Sequence, residues 1–178
     1  MDKTPVPLKN EVLRNAVIDD ALEICKIYNY YIENTIISFE EVPVSVEEMK
    51  NRIREVTEKY PWLVCEKNGS IAGYAYASKW KDRTAYRYSA ESSIYLAQDA
   101  VGQGIGNKLY KALISRISGM SIHSVIGGIA LPNPASVALH EKLGFKKVAC
   151  FKEIGRKFSQ WIDVGYWELI IDDSRPER

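Results

Sequence analysis

The sequence predicts an α/β (α+β) protein with a mixed, mostly antiparallel central sheet of about seven strands and helices on both faces. Three observations predict it. Hairpin turns join strands in the middle of the chain, amphipathic helices separate the later strands, and each helix has an apolar spacing of three and four residues. Together they give the order β-α-α-β-β-β-α-β-α-β-β. Hairpins followed by helical crossovers produce a mixed sheet.

The first half of the chain is predicted to hold two helices and a hairpin. Asp19 is a plausible N-cap for the first helix, and Ser45 with Glu48 forms a capping box for the second. Asn68-Gly69 is a strong hairpin turn. From the apolar spacing, the elements are a strand at 11–17, helices at about 19–34 and 45–60, and strands at 62–66 and 71–77.

The second half alternates strands and helices before a final pair of strands. Asn133 followed by proline is typical of a helix start, and Gly119 and Gly144 are typical of helix ends. Gly155 and Arg156 are predicted to lie in the last loop. The elements are strands at 88–96, 124–130, 145–154 and 161–171, with helices at 105–118 and 134–143.

Length and composition indicate one ordinary globular domain. The 178 residues are 46% hydrophobic and 26% charged, with a net charge of +1. We expect a single domain over 11–171 with flexible termini at 1–10 and 172–178. The near-neutral charge does not indicate binding to nucleic acid or to a membrane surface. No apolar run approaches the ~20 residues of a membrane span, and the amino terminus lacks the apolar core of a signal peptide.

The cysteines and histidines argue against a disulfide scaffold and a metal centre. Cys25, Cys65 and Cys150 are isolated and odd in number, which favours a reducing cytoplasm. His123 and His140 are the only histidines, so a histidine-rich metal site is not available and no metal is expected.

A glycine-rich turn follows the strand that ends at Leu96. Gly102, Gly104 and Gly106 alternate just before a helix, so main-chain N–H groups and the helix dipole form an anion site suited to phosphate. Asn107 stands where a Rossmann fingerprint needs its third glycine, and the Lys-Ser/Thr pair of a P-loop is missing. A plain strand-to-helix turn is the alternative interpretation.

A basic loop over 78–87 precedes that strand. It has one acidic residue, Asp82, among its cations and two interleaved aromatic residues; these residues are Lys79, Trp80, Lys81, Arg83, Tyr86 and Arg87. The loop is either a solvated segment or a recognition loop for an anionic small molecule, because arginine binds carboxylate and phosphinate groups in a bidentate manner.

The glycine turn and the segment from Asn133 to Phe145, NPASVALHEKLGF, together resemble the GNAT superfamily of acetyl-CoA-dependent N-acetyltransferases. Finer features resemble the phosphinothricin and methionine sulfone (sulfoximine) acetyltransferases within it. The resemblance covers the chain except its ends. The segments that carry the finer resemblance are 27–29, 38–40, 73–75, 86–95 and 161–164.

The resemblance implies a GNAT-like fold and acetyl-CoA as co-substrate. In this superfamily one strand splays from its neighbour and the pantetheine arm bonds to the strand backbone. Asn133 would contact that arm or cap the helix beside it. The implied pantetheine strand is Ile94, Tyr95 and Leu96, and the implied diphosphate site is Gly102, Gln103, Gly104, Ile105, Gly106 and Asn107.

The same resemblance assigns the chemistry to two residues. Glu91 is the general base that takes a proton from the amine, directly or through water. An exposed sheet position or a structural ion pair is the alternative for this carboxylate. His140 stands where many GNAT enzymes carry a tyrosine and is implied to act in proton transfer. A helix-end histidine favoured by the dipole is the alternative.

The acceptor implied by the resemblance is a small anionic amino-acid analogue of the phosphinothricin, methionine sulfoximine or methionine sulfone type. Acetyl transfer to its α-amino group would occur directly in a ternary complex. Arg83, Tyr86 and Arg87 are the candidate substrate contacts, with Phe39 and Trp161 as apolar walls.

Two other functions remain open from the sequence. One is a GNAT enzyme that acts on a protein, a peptide or another small amine, and the other is a non-catalytic CoA-binding module. The resemblance also implies a homodimer, with the late strands and their aromatic residues as its interface, and the cysteines favour a cytoplasmic location.

Overall fold

A computed structural model describes residues 11–171, and the strands and helices in this range follow the predicted order. The predicted flexible termini, 1–10 and 172–178, lie outside the described residues. No helix between residues 11 and 171 has both the length and the apolar character to cross a bilayer. The elements are β1 (Glu11–Asn15), α1 (Ala21–Asn34), α2 (Val46–Thr57), β2 (Trp62–Lys67), β3 (Ser70–Lys79), β4 (Ser89–Leu96), α3 (Ile105–Ser118), β5 (Ser124–Leu131), α4 (Pro134–Lys142), β6 (Lys146–Lys157) and β7 (Gln160–Ile170).

The seven strands between residues 11 and 171 form one mixed sheet in the order β1-β2-β3-β4-β5-β7-β6. Neighbouring strands are antiparallel except β4 and β5, which are parallel. The parallel pairing covers three residues of β4 and ends where Glu91 faces Ile126. Beyond that point the two strands separate, so the sheet has an opening in its middle.

Helices cover both faces of the sheet, as predicted. Alternation along β2 shows this directly: Leu63 and Cys65 belong to the core under α3, whereas Trp62 and Val64 belong to the core under α1 and α2. Residues of α4 pack against the α3 core. Because the period of a strand is two residues, one strand supplies both cores.

Two of the predicted helix caps are confirmed. The Ser45 hydroxyl accepts a hydrogen bond from the Glu48 N–H at 3.1 Å, and the Asn133 side-chain oxygen accepts one from the Ser136 N–H at 3.1 Å. The turn at Asn68-Gly69 is also confirmed, since both residues have positive φ values of 54° and 82°.

The predicted N-cap at Asp19 is wrong. Residues 18–20 form a short 3₁₀ turn before α1, and Asp19 lies inside it. The neighbouring Asp20 carboxylate accepts a hydrogen bond from the Val17 N–H at 2.8 Å and pairs with Arg14 at 2.7 Å. Asp20 is the N-cap position of α1, but its carboxylate makes no capping bond to the helix because Arg14 and the Val17 N–H bind both oxygens.

The predicted loop at Gly155 and Arg156 is also wrong. Both residues lie in β6, opposite Ile162 and Trp161, and the chain reverses at Phe158-Ser159 with φ values of 49° and 61°. A Cβ atom on Gly155 would lie 2.2 Å from Phe39 Cε2. The glycine is needed for close approach of an aromatic ring, not for a turn.

Candidate active site

The glycine loop, residues 101–107, presents main-chain donors at the start of α3. Gly102 and Gly104 have φ values of 78° and 80°, and a Cβ atom on either would meet no other atom of residues 11–171 within 4 Å. Glycine is therefore needed here for its left-handed conformation. The N–H groups from Gly102 to Asn107 have no hydrogen-bond acceptor among residues 11–171. Such a row of free donors at a helix start is suited to a phosphate group.

Side chains around the glycine loop add polar character. The Lys67 ammonium donates to the Gln103 side-chain oxygen, and the Gln103 amide donates to the Asp99 carbonyl. The Asn107 side-chain oxygen is buried and has no hydrogen-bond partner in the described part of the chain. Lys67 thus brings a positive charge to the loop from the neighbouring hairpin.

The opening between β4 and β5, called here the interstrand slot, leads away from the glycine loop. It has a volume of about 50 Å³ and is lined by Ser92, Ser93, Ile94, Tyr95, Gly128, Ile129, Ala130, Asn133, Ser136 and His140. Leu96 lies at its loop end, where a Cβ atom on Gly106 would be 3.4 Å from Leu96 Cδ1. The predicted residues Ile94, Tyr95, Leu96, Asn133 and His140 therefore lie together with the glycine loop.

His140 is buried, with 3% of its surface exposed, and both ring nitrogens are bonded. Its Nδ1–H donates to the Ser136 carbonyl at 2.8 Å, since a carbonyl only accepts. Nε2 then accepts from the Tyr110 hydroxyl at 2.8 Å, and Tyr110 lies 2.6 Å from the Ser92 hydroxyl. Burial lowers the pKa of His140, so the ring is neutral at pH 7. A Cβ atom on Gly127 would lie 2.4 Å from His140 Nε2.

A larger cavity of about 570 Å³, called here the Glu91 cavity, adjoins the slot. It is lined by Tyr28, Ile37, Ser38, Phe39, Glu40, Glu91, Tyr95, Gly128, Ala130, Ile154, Val164 and Tyr166. Ile37, Tyr95, Gly128 and Ala130 line both spaces. The two spaces are therefore adjacent along these residues.

The Glu91 carboxylate makes no hydrogen bond or ion pair with another side chain of residues 11–171. Burial raises its pKa, and the positive charge of Lys81 acts in the opposite direction. Glu91 Oε1 would be 3.5 Å from a Cβ atom on Gly128, so the carboxylate lies close to the mouth of the slot. A half-buried carboxylate with a raised pKa and no fixed partner can accept a proton.

Only one of the five predicted substrate residues lies in the Glu91 cavity. Phe39 lines it, whereas Arg83 and Arg87 line a separate groove of about 510 Å³. Tyr86 is 41% exposed and Trp161 is 62% exposed, and neither lines the cavity. The basic loop approaches the cavity through Trp80, whose ring lies 5.7 Å from that of Tyr166.

Sequence reasoning missed several residues of the two spaces. Tyr166 and Tyr110 carried no signal, because each is an ordinary strand or helix position, and Ser92 lies in the 86–95 segment but had no predicted role. The motif at 38–40 did carry one, although Glu40 had no predicted role. In the structure Glu40 accepts from Tyr28 at 2.8 Å and from Arg52 at 2.7 Å.

Comparison with known proteins identifies the family to which the chain belongs. The model of the acetyltransferase (GNAT) domain family matches residues 13–165. The chain is 36% identical over 166 residues to a phosphinothricin N-acetyltransferase of Streptomyces viridochromogenes, covering 93% of this chain and 91% of that protein. It is 32% identical over 165 residues to the L-methionine sulfoximine/L-methionine sulfone acetyltransferase of Pseudomonas aeruginosa, covering 92% and 96%.

A solved structure of an acetyltransferase has a similar fold. The phosphinothricin acetyltransferase (Pat) from Sinorhizobium meliloti, in complex with acetyl-CoA, matches with a TM-score of 0.87 and 37% identity, covering 90% of this chain and 88% of that one. The resemblance inferred from the glycine turn and the 133–145 segment is confirmed, and the chain belongs to the GNAT family of N-acetyltransferases.

Proposed function

We propose that this enzyme transfers the acetyl group of acetyl-CoA to the α-amino group of a small anionic amino-acid analogue of the phosphinothricin, methionine sulfoximine or methionine sulfone type. One observation carries the proposal: the unpaired Glu91 carboxylate lies in a cavity that shares four lining residues with the interstrand slot. The substrates named for the relatives from Streptomyces and Pseudomonas support the acceptor class.

The residues of the slot and the glycine loop fit acetyl-CoA, which supplies an activated acetyl thioester. The free N–H groups from Gly102 to Asn107 would hold the diphosphate. The backbone of Ile94–Leu96 has lost its β5 partner and would bond the pantetheine arm. Asn133 already caps α4 through its oxygen, so its amide nitrogen would be the group left for that arm.

Glu91 would act as the general base. A free α-amine is mostly protonated at neutral pH, and the carboxylate would take its proton directly or through one water. A pKa raised by burial brings the proton affinity of Glu91 closer to that of the amine, which favours the transfer.

His140 would act in proton transfer through its neighbours. Its Nε2 is an acceptor for Tyr110, and the Ser92 hydroxyl, which lines the slot, continues the chain. The Ser92 hydroxyl would donate its proton to the departing sulfur and regain one from protonated Glu91 through water, and neutral His140 would hold the Tyr110 hydroxyl in position.

Direct transfer in a ternary complex is favoured over a covalent acetyl-enzyme. The Glu91 cavity and the slot share four lining residues, so both substrates would bind side by side at once. Neither space is lined by a cysteine, and Cys25 and Cys65 are buried in the helix-covered cores.

The anionic group of the acceptor would be bound by Arg83, Tyr86 and Arg87. Since both arginines lie outside the Glu91 cavity in one chain, this contact would require the basic loop to approach it. We also propose a homodimer through the late strands, where Phe151 and Trp161 are exposed. Free cysteines are consistent with the proposed cytoplasmic location.

The test is a panel of acceptors assayed by release of the CoA thiol. We expect turnover with phosphinothricin, methionine sulfoximine or methionine sulfone, and at least tenfold lower kcat/KM with peptides and aminoglycosides, as expected when charged partners are left unpaired. Turnover with peptides alone would favour protein acetylation. Acetyl-CoA binding without turnover of any acceptor would favour a non-catalytic module.

A further inference from the structure

Lys157, at the end of β6, is an unusual lysine because only 2% of its surface is exposed. Its ammonium donates one hydrogen bond, at 2.6 Å, to the Ser38 carbonyl. No carboxylate of residues 11–171 lies within ion-pair distance of it. Burial lowers its pKa, and the charges of Glu41 and Glu40 act in the opposite direction. A buried ammonium needs its hydrogen-bond acceptor, since loss of that bond would leave the charge without a partner.

The bond joins two distant segments of the chain. Ser38 lies between α1 and α2, 119 residues before Lys157. Its hydroxyl donates to the Tyr28 hydroxyl at 3.0 Å and accepts from the Glu40 N–H at 3.3 Å. Ser38, Phe39 and Glu40 form one wall of the Glu91 cavity, and Lys157 does not line the cavity. The Lys157 bond therefore attaches this wall to β6.

A second contact joins the same two segments. Gly155 lies two residues before Lys157, so the two residues share a face of β6. The ring of Phe39 lies over Gly155 so closely that a Cβ atom there would be 2.2 Å from Phe39 Cε2. The β6–β7 hairpin therefore fixes residues 38 and 39 at two adjacent points.

We infer that Lys157 is a positioning residue for the acceptor: it fixes residues 38–40 against the Glu91 cavity without itself lining that cavity. The inference rests on the proposed function of the cavity as the acceptor site. It predicts that loss of the Lys157 bond weakens acceptor binding and leaves the glycine loop and the slot unchanged.

The experiment compares Lys157→Met with Lys146→Met, an exposed lysine at the start of the same strand. For Lys157→Met we expect the KM of methionine sulfone to rise roughly tenfold, as for loss of a hydrogen bond to a buried charge. The kcat and the acetyl-CoA Kd should change by less than about twofold, and Lys146→Met should change none of the three beyond that.

Hydrogen exchange gives a readout that does not depend on turnover. The peptide covering 35–44 should exchange faster in Lys157→Met than in the wild type or in Lys146→Met, and the glycine loop should not. If the wild type acetylated nothing in the panel, the proposed function would fail, and the exchange of 35–44 would still decide whether Lys157 holds this segment.

Gly155→Ala keeps Lys157 but displaces Phe39, so it tests the same wall if Lys157→Met does not fold. We expect the same rise in acceptor KM with an unchanged acetyl-CoA Kd. The inference is overturned if both variants match Lys146→Met in acceptor KM and in exchange of 35–44, or if they weaken acetyl-CoA binding as much as acceptor binding.

Discussion

The glycine loop with its interstrand slot and the Glu91 cavity are built in different ways. The loop offers main-chain N–H groups of consecutive residues, Gly102 to Asn107. The cavity is lined by side chains from α1, the 37–40 segment, β4, β5, β6 and β7. A main-chain site depends on local conformation, whereas a side-chain cavity depends on long-range packing. The glycine loop can therefore keep its ligand while substitutions in the Glu91 cavity change which substrate binds there.

This difference predicts that substitutions in the two regions change different kinetic parameters. Variants of the cavity should alter kcat or the KM of the acceptor and leave acetyl-CoA affinity unchanged. Variants of the glycine loop should do the reverse, and a variant remote from both should alter stability alone.

The largest effect is expected for Glu91→Gln. Loss of the general base should lower kcat by about 10²- to 10⁴-fold, measured by thiol release. The acetyl-CoA Kd, measured by calorimetry, should be unchanged. Because burial disfavours the charged carboxylate, the neutral glutamine should not lower the Tm. A variant that keeps wild-type kcat would remove Glu91 from the mechanism.

The next effect is the dependence of the rate on pH. The pKa of Glu91 is raised from 4.5, so the carboxyl group keeps its proton to a higher pH than an exposed glutamate does. Since only the ionised form accepts a proton, kcat/KM should fall about tenfold per pH unit below that pKa. Initial rates from pH 4.5 to 8 would show this limb. If the residual activity of Glu91→Gln showed the same fall in rate at low pH, the titrating group would be a residue other than Glu91.

Gly104→Ala should affect the other region. Its φ of 80° is unfavourable for alanine by about 1–2 kcal/mol, and an added Cβ meets no atom within 4 Å. We expect acetyl-CoA affinity to fall roughly tenfold as the loop shifts, with kcat at saturating acetyl-CoA little changed. Gly119→Ala, at a right-handed helix end, is the matched control. Equal affinity in both variants would contradict a main-chain site.

The smallest effect is expected for Ser45→Ala, which removes the cap of α2. The loss of about 1 kcal/mol should lower the Tm by roughly 2–4 °C. Acetyl-CoA Kd and acceptor KM should equal those of the wild type. A change in either constant would mean that α2 contributes to one of the two sites, against the division drawn above.

Sequence patterns predicted the features that depend on neighbouring residues. The order of elements, the caps at Ser45 and Asn133 and the Asn68-Gly69 turn follow from local conformational preferences, and so does the conformation of the glycine loop. They failed where a contact between two elements decides the outcome, as at the start of α1, where Arg14 of β1 binds Asp20.

The Glu91 cavity could be predicted only in part for the same reason. Glu91 and Phe39 were identified, but the Lys157–Ser38 bond behind the cavity connects segments 119 residues apart, and the Tyr110–His140 bond beside the slot connects segments over a shorter separation. Gly155 was predicted to lie in a loop because no local pattern indicates that the ring of Phe39 occupies the space where a Cβ atom of residue 155 would lie.

The contact between Gly127 and the imidazole of His140 has an evolutionary consequence. No side chain fits at 127 while the ring keeps its place, since even a methyl group would overlap Nε2. The two positions are therefore not free to mutate independently. Across an alignment of relatives, a larger residue at 127 should appear only together with a different residue at 140, so the pair should covary.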